Sequence, residues 1–123
     1  MTGLGIEELA PGRYDGTVEK IRFILKATTR ISITYKIDTP QGIRRLIEKI
    51  LISAPPASAS YFHTTQGLAR VEDILRIKGL ALQDVDGLRE LPKLLEGVAI
   101  GVVTKNQREA GFNVPVVVRI EAP

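Results

Sequence analysis

The chain has 123 residues, 44% of them apolar, which suits a single domain with its own hydrophobic core. It has no cysteine, which excludes disulfides, thiolate metal sites and thiol catalysis; seventeen Lys and Arg against fourteen Asp and Glu permit a polyanion partner without requiring one. No apolar run is long enough to span a membrane, and the first eight residues lack the basic and apolar regions of a signal peptide, so a soluble cytoplasmic protein is expected.

Residues 1–9 read as a loose lead-in to one domain, and Ala10-Pro11-Gly12 punctuates the start of structure. From Arg13 to Leu25 the chain reads as one long strand. Its apolar positions are first even (Tyr14, Gly16, Val18) and then odd (Ile21, Phe23, Leu25). Side chains alternate faces along a strand, so this change of phase near Glu19-Lys20 predicts a β-bulge or a sharp coil. Arg30 to Ile37 alternates cleanly, with Ile31, Ile33, Tyr35 and Ile37 on one face and Arg30, Ser32, Thr34 and Lys36 on the other. Residues 38–42 make a turn.

The stretch from Ile43 to Ser53 supports two readings. Ile43, Leu46, Ile47, Ile50 and Leu51 recur at helical spacing, yet the stretch follows a short turn after a strand and is rich in β-branched residues. Helix and strand both stay open on the residues alone. Ala54 to Ser60, with paired prolines, is a loop. A helix is expected from about Gln66 to Lys78. Thr64 or Thr65 caps it, Leu68, Val71, Ile74 and Leu75 form its apolar stripe, and Gly79 closes it. Asp84 to Glu96 is partly helical and broken by Pro92. Val98 to Lys105 and Val114 to Glu121 are strand-like and form a hairpin across a polar loop from Asn106 to Asn113. Pro115 places the last strand at an edge.

If the open stretch is a strand, the order is three strands, a helical region and two strands. That is the order of the OB-fold, a small curled barrel. The expected fold class is therefore mainly β, an OB-like five-stranded barrel with one or two helices between the third and fourth strands. The fold needs a long, bent first strand, which the phase change supplies.

Particular stretches carry a resemblance. Leu9-Ala10-Pro11-Gly12-Arg13-Tyr14-Asp15-Gly16-Thr17-Val18 opens the first strand. Thr29 to Ile37 follows, and then Gly42 leads into Arg44-Arg45-Leu46-Ile47-Glu48. A helix runs from Leu68 to Gly79, and Leu94-Leu95-Glu96-Gly97-Val98 enters the fourth strand. In order and spacing from about residue 9 to 121, the chain resembles small phage and prophage single-stranded-DNA-binding proteins with an OB-like barrel. The resemblance favours a strand for residues 43–52. It implies single-stranded DNA binding without sequence preference, in phage or prophage replication or recombination, in the cytoplasm of a bacterial host. Replication or recombination proteins and a second copy of the chain are the further partners it brings into view.

Such binding needs a cationic groove to follow phosphates and aromatic faces for bases. Lys20, Arg22 and Lys26 lie on or near the first strand, Arg30 and Lys36 on the polar face of the second, and Arg44, Arg45 and Lys49 on the third. Lys105 and Arg108 fall in the expected last loop. These are the elements that line the binding face of an OB-fold. The plain alternative is an ordinary solvated strand face. Tyr61 and Phe112 are the stacking candidates, with barrel plugging as the alternative for both; Phe62 reads as a plug, and Tyr14, Phe23 and Tyr35 as core.

No metal, cofactor or catalytic site is expected. His63 is the only histidine and has no cysteine to share a zinc ion with. Asp84-Val85-Asp86-Gly87 lacks the ligand spacing of a calcium loop, and Gly3-Leu4-Gly5 lacks the strand and helix of a phosphate loop. An enzyme is therefore not expected. The competing function is a protein-interaction or structural module on the same barrel, pairing through an edge strand such as Val114 to Glu121. Thin aromatic content, 5%, favours that alternative; the clustered cations favour DNA.

Overall fold

The computed structural model describes residues 9–25, 29–53, 61–109 and 111–123. Five antiparallel strands form one sheet: β1 (Gly12–Leu25), β2 (Thr29–Thr39), β3 (Gly42–Ser53), β4 (Ala99–Glu109) and β5 (Phe112–Glu121). Between β3 and β4 run α1 (Tyr61–Ile77), two short 3-10 turns (Leu82–Asp84 and Leu88–Glu90) and α2 (Leu91–Leu95). The mainly β class, the five strands and the helices between the third and fourth strands are as expected. The sheet order is β3-β2-β1-β4-β5.

β1 is long because it serves two neighbours. Gly12 to Thr17 pair with β4, and Gly16 onward pairs with β2. The register slips between Val18 and Lys20, which makes Glu19 the extra residue of a bulge. Tyr14 and Val18 before it, and Ile21 and Phe23 after it, all pack in or against one core. Past the bulge β1 parts from β4. The N–H of Ile21 is then taken by the Glu96 carboxylate at 2.9 Å. Gly16 marks the tightest crossing, where an added Cβ would lie 2.4 Å from the Lys36 carbonyl oxygen.

Residues 42–53 form a strand. Ile31, Ile33, Tyr35 and Ile37 of β2 are fully buried, and Leu46 and Ile50 of β3 join them. Ile43 and Ile47 point the other way and are 59% and 63% exposed. The helix-like spacing thus arises because β3 carries apolar residues on both faces. A two-residue turn, Pro40-Gln41, joins Thr39 to its partner Gly42.

α1 starts at Tyr61, earlier than expected, and Thr64 and Thr65 lie inside it rather than capping it. No glycine or proline stands between Tyr61 and Gln66, so nothing in the backbone stops the helix from reaching back to the proline-rich stretch. Its end is as expected. Gly79 adopts φ +81°, with Leu80 N–H on the Leu75 carbonyl and Gly79 N–H on the Arg76 carbonyl, each at 2.9 Å. Val71, Ile74 and Leu75 are buried. Pro92 lies in the first turn of α2 instead of breaking a helix, since there its missing N–H costs no helical bond.

The last hairpin is tighter than expected. Pairing continues to Glu109 opposite Phe112, so only residues 110 and 111 separate the strands, and Gly111 has φ +84°. Asn106, Gln107 and Arg108 read as loop because they are polar, yet they are paired strand residues. Leu9, placed in the lead-in, is 3% exposed and belongs to the core; its carbonyl accepts from Asn106 Nδ2 at 3.1 Å.

The sheet does not close into a barrel, which corrects the barrel expectation. β3 and β5 are both edges. Three features stand where the closing ladder would run. Pro115 has no N–H to give. A register slip opposite Val103 and Thr104 makes Val118 a bulge residue, 41% exposed. Arg70 of α1 reaches across, its Nη2 3.3 Å from the carbonyl oxygens of both Val117 and Val118. The same side chain binds Glu48 of β3. A helix-borne guanidinium thus joins the two edges, and the bulge, the proline and the occupied carbonyls protect β5 from strand addition.

Candidate nucleic-acid interface

The strand periods sort the predicted cations by face. On β1, β2 and β3 the side turned from the core forms successive cross-strand rows: Arg22, Ser32 and Lys49; Lys20, Thr34 and Ile47; Thr17, Lys36 and Arg45. Arg30 begins the next row opposite Leu51. Lys20, Arg22, Arg30, Arg45 and Lys49 are exposed and Lys36 is half-buried. Rows lie about 6.7 Å apart along the strands and lanes about 4.8 Å apart across them. Six cations therefore share one face of three strands.

The bulge is what puts Lys20 and Arg22 there. Without the slip at Glu19, the second half of β1 would present Ile21 and Phe23 outward and its cations to the core. Glu19 itself stands on the exposed side, where its carboxylate accepts from Arg45 Nε at 2.7 and 2.9 Å. It is the acid nearest the middle of the face; Asp38 lies at its rim, opposite Ile43.

Other predicted residues lie elsewhere. Arg44 has the phase of Leu46 and Ile50, so it sits half-buried on the core side of β3, opposite Ile37. Lys105 and Arg108 are exposed residues of β4, not of a loop. Lys105 lines a separate cleft of 470 Å³ with Glu48, Arg70, Asp73, Val118 and Arg119. Lys26 lies outside the described residues. Tyr61 opens α1 and Phe112 opens β5, but their side chains, like those of Phe62 and His63, lie outside the described set. Tyr14, Phe23 and Tyr35 belong in or against the core, as expected.

Beneath the face, Tyr35 donates its O–H to Glu48 at 2.7 Å, and Glu48 accepts from Arg70 Nε at 3.0 and 3.1 Å. Burial first, and then the Glu48 carboxylate, push the Tyr35 phenol well above its ordinary range. Near the end of β5, hydrogen bonds from Arg119 and then Arg13 hold the half-exposed Glu121 carboxyl below the usual range.

Sequence reasoning missed three residues. Arg70 is one charged residue of the α1 sequence, and its partners Glu48, Val117 and Val118 are distant in the chain. Glu19 was visible as the phase change but not as the partner of Arg45. Ile47 is part of the helical spacing in the sequence, and the strand turns it outward. Among the described residues no group of three or more His, Asp or Glu is placed to share a metal ion, and no helix is long and apolar enough to cross a membrane. No protein-family model matches the chain, and no curated protein is significantly similar to it.

Proposed function

We propose that the protein binds single-stranded DNA without sequence preference, through the outward face of β1, β2 and β3. The observation that carries this reading is the gathering of Lys20, Arg22, Arg30, Lys36, Arg45 and Lys49 on one exposed face. Cations in rows suit a flexible phosphate chain, whose binding releases condensed counterions. The face belongs to a curled five-stranded sheet in the strand order of the OB-fold, which supports the same reading. The resemblance to phage and prophage single-strand-binding proteins adds the setting, replication or recombination of phage DNA. The alternative of an edge-pairing interaction module is not favoured at β5, where Pro115 and the Arg70-occupied carbonyls oppose strand addition.

Fluorescence anisotropy with a labelled oligo-dT strand tests the reading, at low and at physiological salt, beside a duplex of equal length. The single strand should bind more tightly than the duplex and weaken as salt rises. Lys36→Ala and Lys49→Ala should each lower the salt slope by about one, whereas Arg44→Ala should leave it close to that of the unchanged protein. No binding at low salt and micromolar protein would end the proposal.

A further inference from the structure

The outward lane of β3 alternates in character. Ile43, Arg45, Ile47 and Lys49 follow one another on the exposed side of an edge strand, and the two isoleucines are 59% and 63% exposed. Arg45 and Lys49 are four residues apart, about 13.4 Å along the strand, a step comparable with two nucleotides of an extended single strand, and Ile47 lies midway between them. The neighbouring lane of β2 sets Lys36 beside Arg45, Thr34 beside Ile47 and Ser32 beside Lys49. The aromatic rings described on these three strands, Tyr14, Phe23 and Tyr35, are in or against the core. Hence the large apolar side chains described on the outward face of these strands are Ile43 and Ile47.

Two kinds of occupant suit an exposed apolar residue on a sheet. A protein partner, a second copy included, offers apolar surface that excludes water from a contiguous patch. Here Ile47 lies between Arg45 and Lys49, and Ile43 lies beside Arg45 with Asp38 opposite, so such a partner would have to bury Lys49 and the Arg45–Glu19 pair against apolar surface, which is costly for charge taken from water. A single strand of nucleic acid offers the matching alternation, with flat, weakly polar bases between anionic phosphates. Arg45 is held in the lane by Glu19, and both lie on the exposed side.

We propose that this lane of β3 is the track of the bound strand, with Ile47 and Ile43 touching base faces and Arg45 and Lys49 touching phosphates. This inference rests on the single-stranded-DNA reading and extends it to the groups that meet the bases. Contact with an isoleucine side chain requires no base-edge hydrogen bond, so it accepts any base. It also makes phosphate contact carry a larger share of affinity than in a site with aromatic platforms.

The chain has no tryptophan, so Ile47→Trp introduces a single indole at an exposed position. Its emission should be quenched when oligo-dT binds at low salt, and should stay unchanged with an abasic strand of equal length and charge. The unmodified protein should bind the abasic strand about fivefold more weakly than oligo-dT, and an Ile43→Thr, Ile47→Thr double variant should lose that difference. Binding by anisotropy with unchanged indole emission would overturn the track and leave the single-stranded-DNA reading standing. Failure of the unmodified protein to bind at low salt would remove the reading, and the track with it. Sedimentation showing a dimer that Ile47→Lys converts to a monomer would assign the isoleucines to a second copy and overturn the proposal.

Discussion

The Nε of Arg70 lies 3.0 and 3.1 Å from the two carboxylate oxygens of Glu48, joining the middle of α1 to the edge strand β3. The pair is mostly shielded, with side chains 13% and 22% exposed. The same guanidinium also donates to the Val117 and Val118 carbonyls of β5. One side chain therefore replaces part of the ladder that would close a barrel. Arg70→Ala removes the bridge, strands the Glu48 charge and frees two edge carbonyls. It should lower unfolding free energy by about 2–3 kcal/mol, below the range for a fully buried pair because water reaches this one. Urea denaturation measures the loss, and hydrogen exchange should show faster opening of β5 before β1. A change under about 0.5 kcal/mol would mean the two edges are held by packing alone.

Gly16 is needed for closeness rather than for an unusual backbone angle. It pairs with Ile37 on one side and Ile100 on the other, in the part of β1 that has a strand on both sides. A methyl group there meets the Lys36 carbonyl oxygen at 2.4 Å, and backbone cannot rotate away as a side chain can. Gly16→Ala should therefore destabilise by about 1–3 kcal/mol through overpacking. Gly101→Ala is the useful contrast, because the atoms nearest its added Cβ are those of the Arg13 guanidinium, a side-chain end that can move. Thermal denaturation of the two variants should show the larger fall for Gly16→Ala.

Tyr35 gives the fold an alkaline limit. Its phenol is held neutral in the folded state by burial and by the carboxylate of Glu48. The unfolded chain releases that proton near the ordinary tyrosine value, about 10. A raised folded pKa means that the stability is fully present below the unfolded value and is lost as pH rises beyond it. Urea unfolding at about pH 8 and about pH 11 should show a fall that is smaller in Tyr35→Phe, which has no proton to lose at that site. An equal fall in both proteins would place the alkaline sensitivity elsewhere.

Alternation made β2 legible, since every second residue from Ile31 to Ile37 is fully buried. The change of phase in β1 located the Glu19 bulge, because a strand cannot keep its apolar residues inward across a register slip without one. β3 was ambiguous for a physical reason. Ile43 and Ile47 are apolar on the outward face, so the strand carries a helical spacing that its backbone does not have. Closure was not legible, because it turns on Arg70 meeting Glu48 and two carbonyls far away in sequence. The cation face was half legible. Periodicity could place Lys36 and Lys49 on their strands, but only the β1–β2–β3 register brings them beside Lys20 and Arg22 and turns Arg44 to the other side.

Glu19 gives the last test, because it opposes the function proposed for its own face. Its carboxylate accepts twice from Arg45 Nε, at 2.7 and 2.9 Å, across the rows where phosphates would lie. The pair is solvent-exposed, with side chains 56% and 34% exposed for Arg45 and Glu19, so it contributes little to folding. A phosphate approaching Arg45 must displace or share that carboxylate. Glu19→Gln removes one negative charge from the face and keeps the size of the side chain at the bulge. Stability should change by less than about 1 kcal/mol. Affinity for oligo-dT at low salt should rise, with a salt slope steeper by about one as Arg45 becomes available to a phosphate. Arg45→Ala should cancel the gain when combined with Glu19→Gln, since the acid acts through that cation. If Glu19→Gln instead binds oligo-dT no better than the unchanged protein, Arg45 does not meet the bound strand, and the path of the DNA must shift toward the lanes of β1 and β2.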